Sequence, residues 1–280
     1  MITAKDLMSK SYLSVDLKTP VSKLIGKMKN KHTTFALVFN GKKYKGLIDK
    51  RFLLTSRINA SKMKVANVIK KRSKSKTPFF VPKLEYFTQL DKICRLMTTS
   101  NTRALPVLEE NQVKGVVTTN KILNIIRNNY KGLKAGQILR KKLVSVQEKE
   151  QIGKVIEKMH RQKADKIPII DKLGKLSGIV TINDIMKYFH RWPIKSQKLK
   201  GGKKSGNPCR DTGESQDMLK APIRNLMIPA RMCYTASLKT AVTLIIDMMI
   251  KENISSVIIQ EKQMPLGIIT AKDILEEYSR

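Results

Sequence analysis

One short pattern returns four times along this chain, and it constrains the fold more than any other feature. A helix-like segment leads into an apolar strand and a turn, and then comes a glycine followed by two apolar residues. The glycines are Gly46 in GLIDKRFLL, Gly115 in GVVTTNKIL, Gly178 in GIVTINDIM and Gly267 in GIITAKDIL. A methionine precedes each of them (Met28, Met97, Met159 and Met249) by 18, 18, 19 and 18 residues. Between the two landmarks lies an apolar run: ALVF at 36–39, LPVL at 105–108, IPII at 167–170 and SVII at 256–259. Landmarks held in register over four copies specify a repeated supersecondary unit whose copies bury their faces on one another.

Each copy reads alike. The helix over Thr240–Lys251 is expected to place Ala241, Leu244, Ile245, Met248 and Met249 on its inner face. The strand after it is apolar throughout, as a strand covered on both sides must be. A polar turn such as EENQ or DKLG leads to a second strand. Another helix starts near Thr-x-x-Asp, where the hydroxyl suits an N-cap. The unit is β-α-β-β-α. About 55 residues bury too little surface to stand alone, so two units pair. The expected architecture is α/β, with a first pair over 1–130 (units 1–57 and 60–130) and a second over 131–280 (units 134–192 and 221–280). The glycines lie 69, 63 and 89 residues apart, and the excess in the last gap is a basic, Gly/Ser-rich insertion at 195–220.

The repeats resemble the CBS (cystathionine-β-synthase) domain. GIVTINDI at 178–185 and GIITAKDI at 267–274 carry the resemblance, supported by the lead-in segments KDLM at 5–8 and RNLM at 224–227. Four copies imply tandem CBS pairs, that is, two pseudo-twofold Bateman modules of an archaeal type. The resemblance further implies that the Thr and Asp of T-x-x-D hold the ribose of an adenosine ligand: AMP, ADP, ATP or S-adenosylmethionine. The chemistry suits the role, because a carboxylate accepts from vicinal hydroxyls while a helix N-terminus favours phosphate. Repeat three supplies Thr181 and Asp184, and repeat four supplies Thr270 and Asp273. By family position Lys166 is the phosphate partner, and Ser256 is its uncharged counterpart. Repeat one has Asp49 and Phe52 at the two motif positions, and repeat two has Thr118 and Lys121, so the first pair lacks the full motif. The same Thr and Asp also serve as a helix cap, and the sequence leaves both roles open.

Charge adds a second constraint. Lys+Arg total 56 against 22 Asp+Glu, a net of +34. Residues 1–135 hold 29 basic and 7 acidic residues, so the excess is concentrated in the half that has lost the motif. Such an excess repels itself unless an anion neutralises it. The clusters are Lys27, Lys29 and Lys31; Lys42, Lys43 and Lys45; Lys50 and Arg51; Lys70, Lys71, Arg72, Lys74 and Lys76; Arg140, Lys141 and Lys142; and Lys198, Lys200, Lys203 and Lys204 in the insertion. They fall on loops and helix ends, and no helix-turn-helix, zinc-finger or aromatic RNA signature accompanies them. That pattern suits phosphate-backbone recognition by shape. The expected partner is structured RNA, with rRNA or a ribosomal subunit foremost and anionic lipid a weaker choice. Some archaeal CBS proteins are ribosome-associated, translation-silencing factors, so the resemblance implies a role in translation regulation or ribosome hibernation. The alternative is an adenine-nucleotide sensor acting on a protein partner or DNA.

Enzyme chemistry is not expected. His32, His160 and His190 have no nucleophile or metal-ligand neighbour at useful spacing, and GGKKSG at 201–206 lacks the spacing of a phosphate loop. No metal is expected, since Cys94, Cys209 and Cys233 are scattered and free of CxxC spacing. The longest apolar-rich run, 241–250, is broken by Asp247 and too short to span a bilayer. The first ten residues contain no apolar signal core. A soluble, cytoplasmic protein without a membrane partner is expected, with its helix faces covered either within one chain or in a homodimer.

Overall fold

The same hydrophobic spacing, read four times, gives the same series of elements four times. The computed structural model describes residues 1–50, 53, 63–73, 81–140, 142–162, 164–191 and 219–280. Repeat one contains α1 (Ala4–Leu7), β1 (Ser14–Asp16), α2 (Val21–Asn30), β2 (Phe35–Asn40) and β3 (Lys43–Asp49). Repeat two contains α3 (Val65–Ser73), α4 (Leu90–Thr99), β4 (Ala104–Glu109), β5 (Gln112–Thr118) and α5 (Thr119–Ile126), then a 3-10 turn at Arg127–Tyr130. Repeat three contains α6 (Ala135–Ile138), β6 (Val146–Gln147), α7 (Ile152–Arg161), β7 (Lys166–Ile170), β8 (Leu176–Thr181) and α8 (Ile182–Arg191). Repeat four contains β9 (Ile228–Pro229), β10 (Thr235–Ala236), α9 (Val242–Lys251), β11 (Ser256–Glu261), β12 (Met264–Thr270) and α10 (Ala271–Tyr278).

The two strands of each hairpin, such as β2 and β3, run antiparallel, and a short strand such as β1 adds in parallel. The apolar runs form the buried middle strands: Ala36, Leu37 and Val38 are fully buried, as are Leu105 and Val107. The four methionines that define the register point into the core, none more than 3% exposed. One expected face is displaced. Helix α9 starts at Val242, with Ala241 as its N-cap, and buries Val242, Ile245, Ile246 and Met249. Leu244, expected inside, is 56% exposed. Both faces fit helical spacing, and only packing against neighbours chooses between phases one residue apart.

The repeats exchange their lead-in segments in pairs. Antiparallel bridges join Thr3 to Gln89 and Pro20 to Lys64, tying repeats one and two at both lead-ins. The bridges Lys134–Ala241 and Gln151–Pro222 do the same for repeats three and four. This exchange explains three of the four repeat glycines, Gly115, Gly178 and Gly267. Ser9, in the lead-in of repeat one, bridges Val116 beside Gly115, and a Cβ on Gly115 would stand 2.9 Å from the Ser9 carbonyl oxygen. A Cβ on Gly267 would stand 2.7 Å from Leu139 Cδ1, in the lead-in of repeat three. Gly178 pairs with Pro229 in the lead-in strand of repeat four.

Contacts gather the chain into two units, each built from segments distant in sequence. One takes Met1–Lys141, Tyr234–Ile259 and Gly267–Arg280, and the other Lys142–Cys233 and Gln260–Leu266. The swap is the reason: the lead-in of repeat three packs on the body of repeat four, and the lead-in of repeat four on the body of repeat three. Within the first unit, α10 packs on α4 and α5, and α9 packs on α5. The apolar faces of repeats two and four therefore cover each other inside one chain, with Leu123, Ile126 and Tyr130 sharing a core with Ile245, Ile274 and Leu275.

Candidate functional site

Both intact motifs fold into the same hydrogen-bonded box. Thr181 ends β8 and Asp184 lies in the first turn of α8. The Thr181 backbone N–H donates to Asp184 Oδ2 at 3.0 Å, its hydroxyl donates to the same oxygen at 2.6 Å, and the Asp184 N–H lies 3.3 Å from the hydroxyl oxygen. Thr270 and Asp273 repeat the arrangement at the start of α10, with distances of 2.9, 2.5 and 3.2 Å. All four residues are half-buried at a helix N-terminus, where exposed N–H groups and the helix dipole favour an anion.

The box also exists without the glycine motif. Thr3 and Asp6 make it on α1, with Thr3 N–H and hydroxyl 2.9 and 2.8 Å from Asp6 Oδ2. Those two donors hold the Asp6 carboxyl below its ordinary value. A capping box therefore forms wherever Thr-x-x-Asp opens a helix, and the box alone is a structural device. The strand register distinguishes repeat three. Lys166 stands directly opposite Thr181 in the β7–β8 ladder, so a half-buried cation and the box carboxylate share one end of the hairpin. The corresponding pair in repeat one is Phe35 and Asp49, the latter 2% exposed, and in repeat two it is Ala104 and Thr118. Ser256, in repeat four, is 7% exposed.

The described basic clusters of repeat one are spread rather than gathered. Lys27, Lys29 and Lys31 are exposed at the C-terminal end of α2. Lys42, Lys43 and Lys45 are exposed on the β2–β3 hairpin, about 20 Å away across a six-residue strand. None of these six forms an ion pair with a described residue. Lys50 is half-buried, and its N–H donates to the Thr34 carbonyl at the α2 end of the sheet. Arg140 is engaged elsewhere, with Nη2 2.7 Å from Glu277 Oε2 on α10. Lys142 is exposed. Lys70, Lys71 and Arg72 lie on α3, and their side chains are outside the description. Arg51, Lys74, Lys76, Lys141, Lys198, Lys200, Lys203 and Lys204 fall outside the described residues, as does the insertion from 195 to 218.

Models of the CBS domain match residues 4–51, 81–128, 135–191 and 224–280. The chain belongs to the CBS-domain family. It carries four CBS domains as tandem pairs, the architecture of two Bateman modules. The fold is shared with a crystal structure of a Methanocaldococcus jannaschii protein presented as an archaeal homologue of g-AMPK: TM-score 0.78, 17% identity, covering 99% of this chain and 100% of that one. A conserved protein of Pyrococcus horikoshii has a TM-score of 0.61 at 17% identity, covering 99% of each chain. Among curated sequences, a 33.4 kDa protein in a ribosomal RNA operon of Thermofilum pendens is 22% identical over 194 residues, 69% of this chain and 60% of that protein. The first curated relatives are matched over 20% to 60% of their own lengths.

The CBS frame also exposes contacts that the sequence did not suggest. Lys272, inside the repeat-four box, reaches Asn101 at the end of α4 (Nζ to Oδ1, 3.4 Å). Its counterpart Asn120, in repeat two, donates to Asn253 at 3.0 Å. Asn101 and Asn253 both adopt positive φ, 51° and 49°, four residues after the repeat methionine. The Tyr130 hydroxyl donates to the Ile274 carbonyl at 2.5 Å. Arg127 makes a two-pronged pair with Asp247. The one available signal was the recurrence of Asn four residues after a methionine in repeats two and four. Among the described residues, no group of His, Cys, Asp and Glu is arranged to hold a metal, and no helix is long and apolar enough to cross a membrane.

Proposed function

We propose that this CBS-domain chain is a non-catalytic, cytoplasmic regulatory protein that binds an adenine nucleotide or S-adenosylmethionine in repeats three and four. The observation that carries the reading is the alignment of three groups in repeat three: Thr181 and Asp184 form the box, and Lys166 stands opposite Thr181 in the ladder. A ribose diol can donate to the carboxylate, while phosphate is drawn to the helix N-terminus and the lysine. Repeats one and two lack the Thr/Asp pair and contribute no such site. Calorimetric titration with AMP, ADP, ATP and S-adenosylmethionine tests the reading. At least one should bind, and Asp184→Ala with Asp273→Ala should abolish the heat. Binding that survives both substitutions, or no binding by any of the four, rejects it.

A second reading concerns the cations. Six exposed lysines of repeat one without ion pairs to described residues, within a net charge of +34, favour a polyanion bound through its phosphates. Structured RNA, with ribosomal RNA foremost, is the proposed partner, and translation the proposed process. Because the clusters sit at both ends of the repeat-one sheet, the polymer would have to wrap rather than dock on one face. Binding of ribosomal RNA should weaken on a log–log salt plot with a slope of several units, roughly 0.7–0.9 per neutralised phosphate. A flat plot, or no co-sedimentation with ribosomal subunits at low salt, rejects it.

A further inference from the structure

The two boxes have the same internal geometry but different surroundings. Asp273 is flanked in sequence by Lys272 and Ile274, and both neighbours are tied to repeat two. The Lys272 ammonium reaches Asn101, and the Ile274 carbonyl accepts the Tyr130 hydroxyl. Tyr130 is 3% exposed and sits in the 3-10 turn that ends repeat two, so its hydroxyl is shielded from bulk water. A buried phenol that lost this acceptor would be left unsatisfied, which makes the contact restrictive on the position of α10. Asp184 is flanked by Asn183 and Ile185, and no described side chain bonds to either of them. Repeat two, for its part, keeps Thr118 but has Lys121 where a ribose acceptor belongs.

We infer that occupancy of the Thr270–Asp273 site is transmitted through α10 to repeat two, with Tyr130 as the positioning residue, a tie that the Thr181–Asp184 site does not make among the described residues. The inference rests on the nucleotide reading above and assigns the two sites different work. The repeat-four site is the regulatory one, because the helix that carries its carboxylate is also packed on α4 and α5. Repeat two is the responding element rather than a further ligand site. Coupling is reciprocal, so a change at Tyr130 that loosens α10 must weaken the ligand as much as the ligand tightens the contact.

The experiment uses the full chain and the nucleotide that binds best in the titration above. Asp184→Ala leaves only the repeat-four site, and Asp273→Ala only the repeat-three site. Tyr130→Phe, which keeps the ring and removes the hydroxyl, is then added to each. Binding at repeat four should weaken about fivefold, the scale of one lost hydrogen bond. Binding at repeat three should stay within twofold. In parallel, ligand should slow amide exchange in α4 and α5 of the wild type and fail to do so in the Tyr130→Phe variant. A merely structural role would lower the melting temperature and leave the ratio of the two affinities unchanged, which would overturn the inference while leaving nucleotide binding intact. If none of the four ligands binds the wild type, the proposed function itself falls and this coupling falls with it. Should Tyr130→Phe fold poorly, Asn101→Ala removes the Lys272 tie and is held to the same two outcomes.

Discussion

The carbonyl oxygen of Ile228 stands where a Cβ on Gly178 would have to go. The contact is between the lead-in of one repeat and the second strand of its partner, and it recurs as Leu139 against Gly267 and Ser9 against Gly115. Gly115, Gly178 and Gly267 are therefore set by close approach of a foreign backbone or side chain, whereas Gly46 adopts φ of 146° and a Cβ there would meet nothing closer than Ile69 at 3.7 Å.

Gly178→Ala should accordingly destabilise the protein by about 2 kcal/mol, the scale of overpacking a tight site. Gly26→Ala is the contrasting case. Gly26 lies in α2, is exposed, and a Cβ there would meet nothing within 4 Å. That substitution should stabilise by about 0.5–1 kcal/mol, because alanine is the better helix former. Urea melts of the two variants check both signs.

The hairpin of repeat four turns at Lys262 and Gln263, with φ of 47° and 66°. Two successive left-handed residues are the geometry of a type I′ turn, which favours Asn-Gly. Lys262→Asn combined with Gln263→Gly should raise the melting temperature, with about 1 kcal/mol of strain relieved. A fall in melting temperature would mean that the side chains of Lys262 and Gln263 contribute more than their backbone costs.

The Arg127 guanidinium, bonded to Asp247, holds that carboxyl below its ordinary value, and the carboxylate in turn holds Arg127 above its own. A depressed acid stabilises the fold above its unfolded pKa and loses that contribution as pH falls through its folded pKa. Wild type and Asp247→Asn should therefore differ by a constant amount above the ordinary carboxylate range and converge as pH falls below it. Because both side chains are partly exposed, the difference should also shrink in salt. Thermal melts across pH and salt measure it.

Removing the Asp184 carboxylate should cost about 1 kcal/mol of stability as a lost cap, whether or not a ligand is present. Asp6→Ala separates the cap from the proposed ligand site, because Asp6 forms the same box outside the glycine motif. It should lower the melting temperature without affecting nucleotide binding, whereas Asp184→Ala should reduce both.

Burial pushes the Cys94 thiol up to about 12, with Asp91 adding to the shift. The thiolate is the reactive form, so Cys94 should resist alkylation at neutral pH in the folded protein and react only on unfolding. Mass spectrometry of the Cys94 peptide, with and without urea, reads this directly. Modification at the native rate of a free thiol would show that α4 opens locally.

Much of the fold was legible in the sequence, because its signals are short-range and repeated. Met28, Met97, Met159 and Met249 kept one register with their glycines, and each proved buried. Thr181–Asp184 and Thr270–Asp273 were legible as helix starts, since a cap is a contact over three residues. The inner face of α9 was not, since helical spacing alone fits two adjacent phases, and Leu244 turned out exposed. The basic runs were legible as charge but not as a surface: Lys31 and Lys42 lie near each other in sequence and at opposite ends of a strand in space.

The sequence by itself determined the four-repeat α/β architecture, the pairs that keep Thr and Asp, and the large positive charge. These are properties of local spacing and composition. Only the tertiary structure decided that lead-in segments cross between partners, that Lys166 stands opposite Thr181, and that Tyr130 closes on Ile274 across 144 residues. Contacts of that kind depend on which faces remain uncovered after each unit has formed. Apolar residues at equivalent positions of four similar repeats do not specify by themselves which copy will cover which.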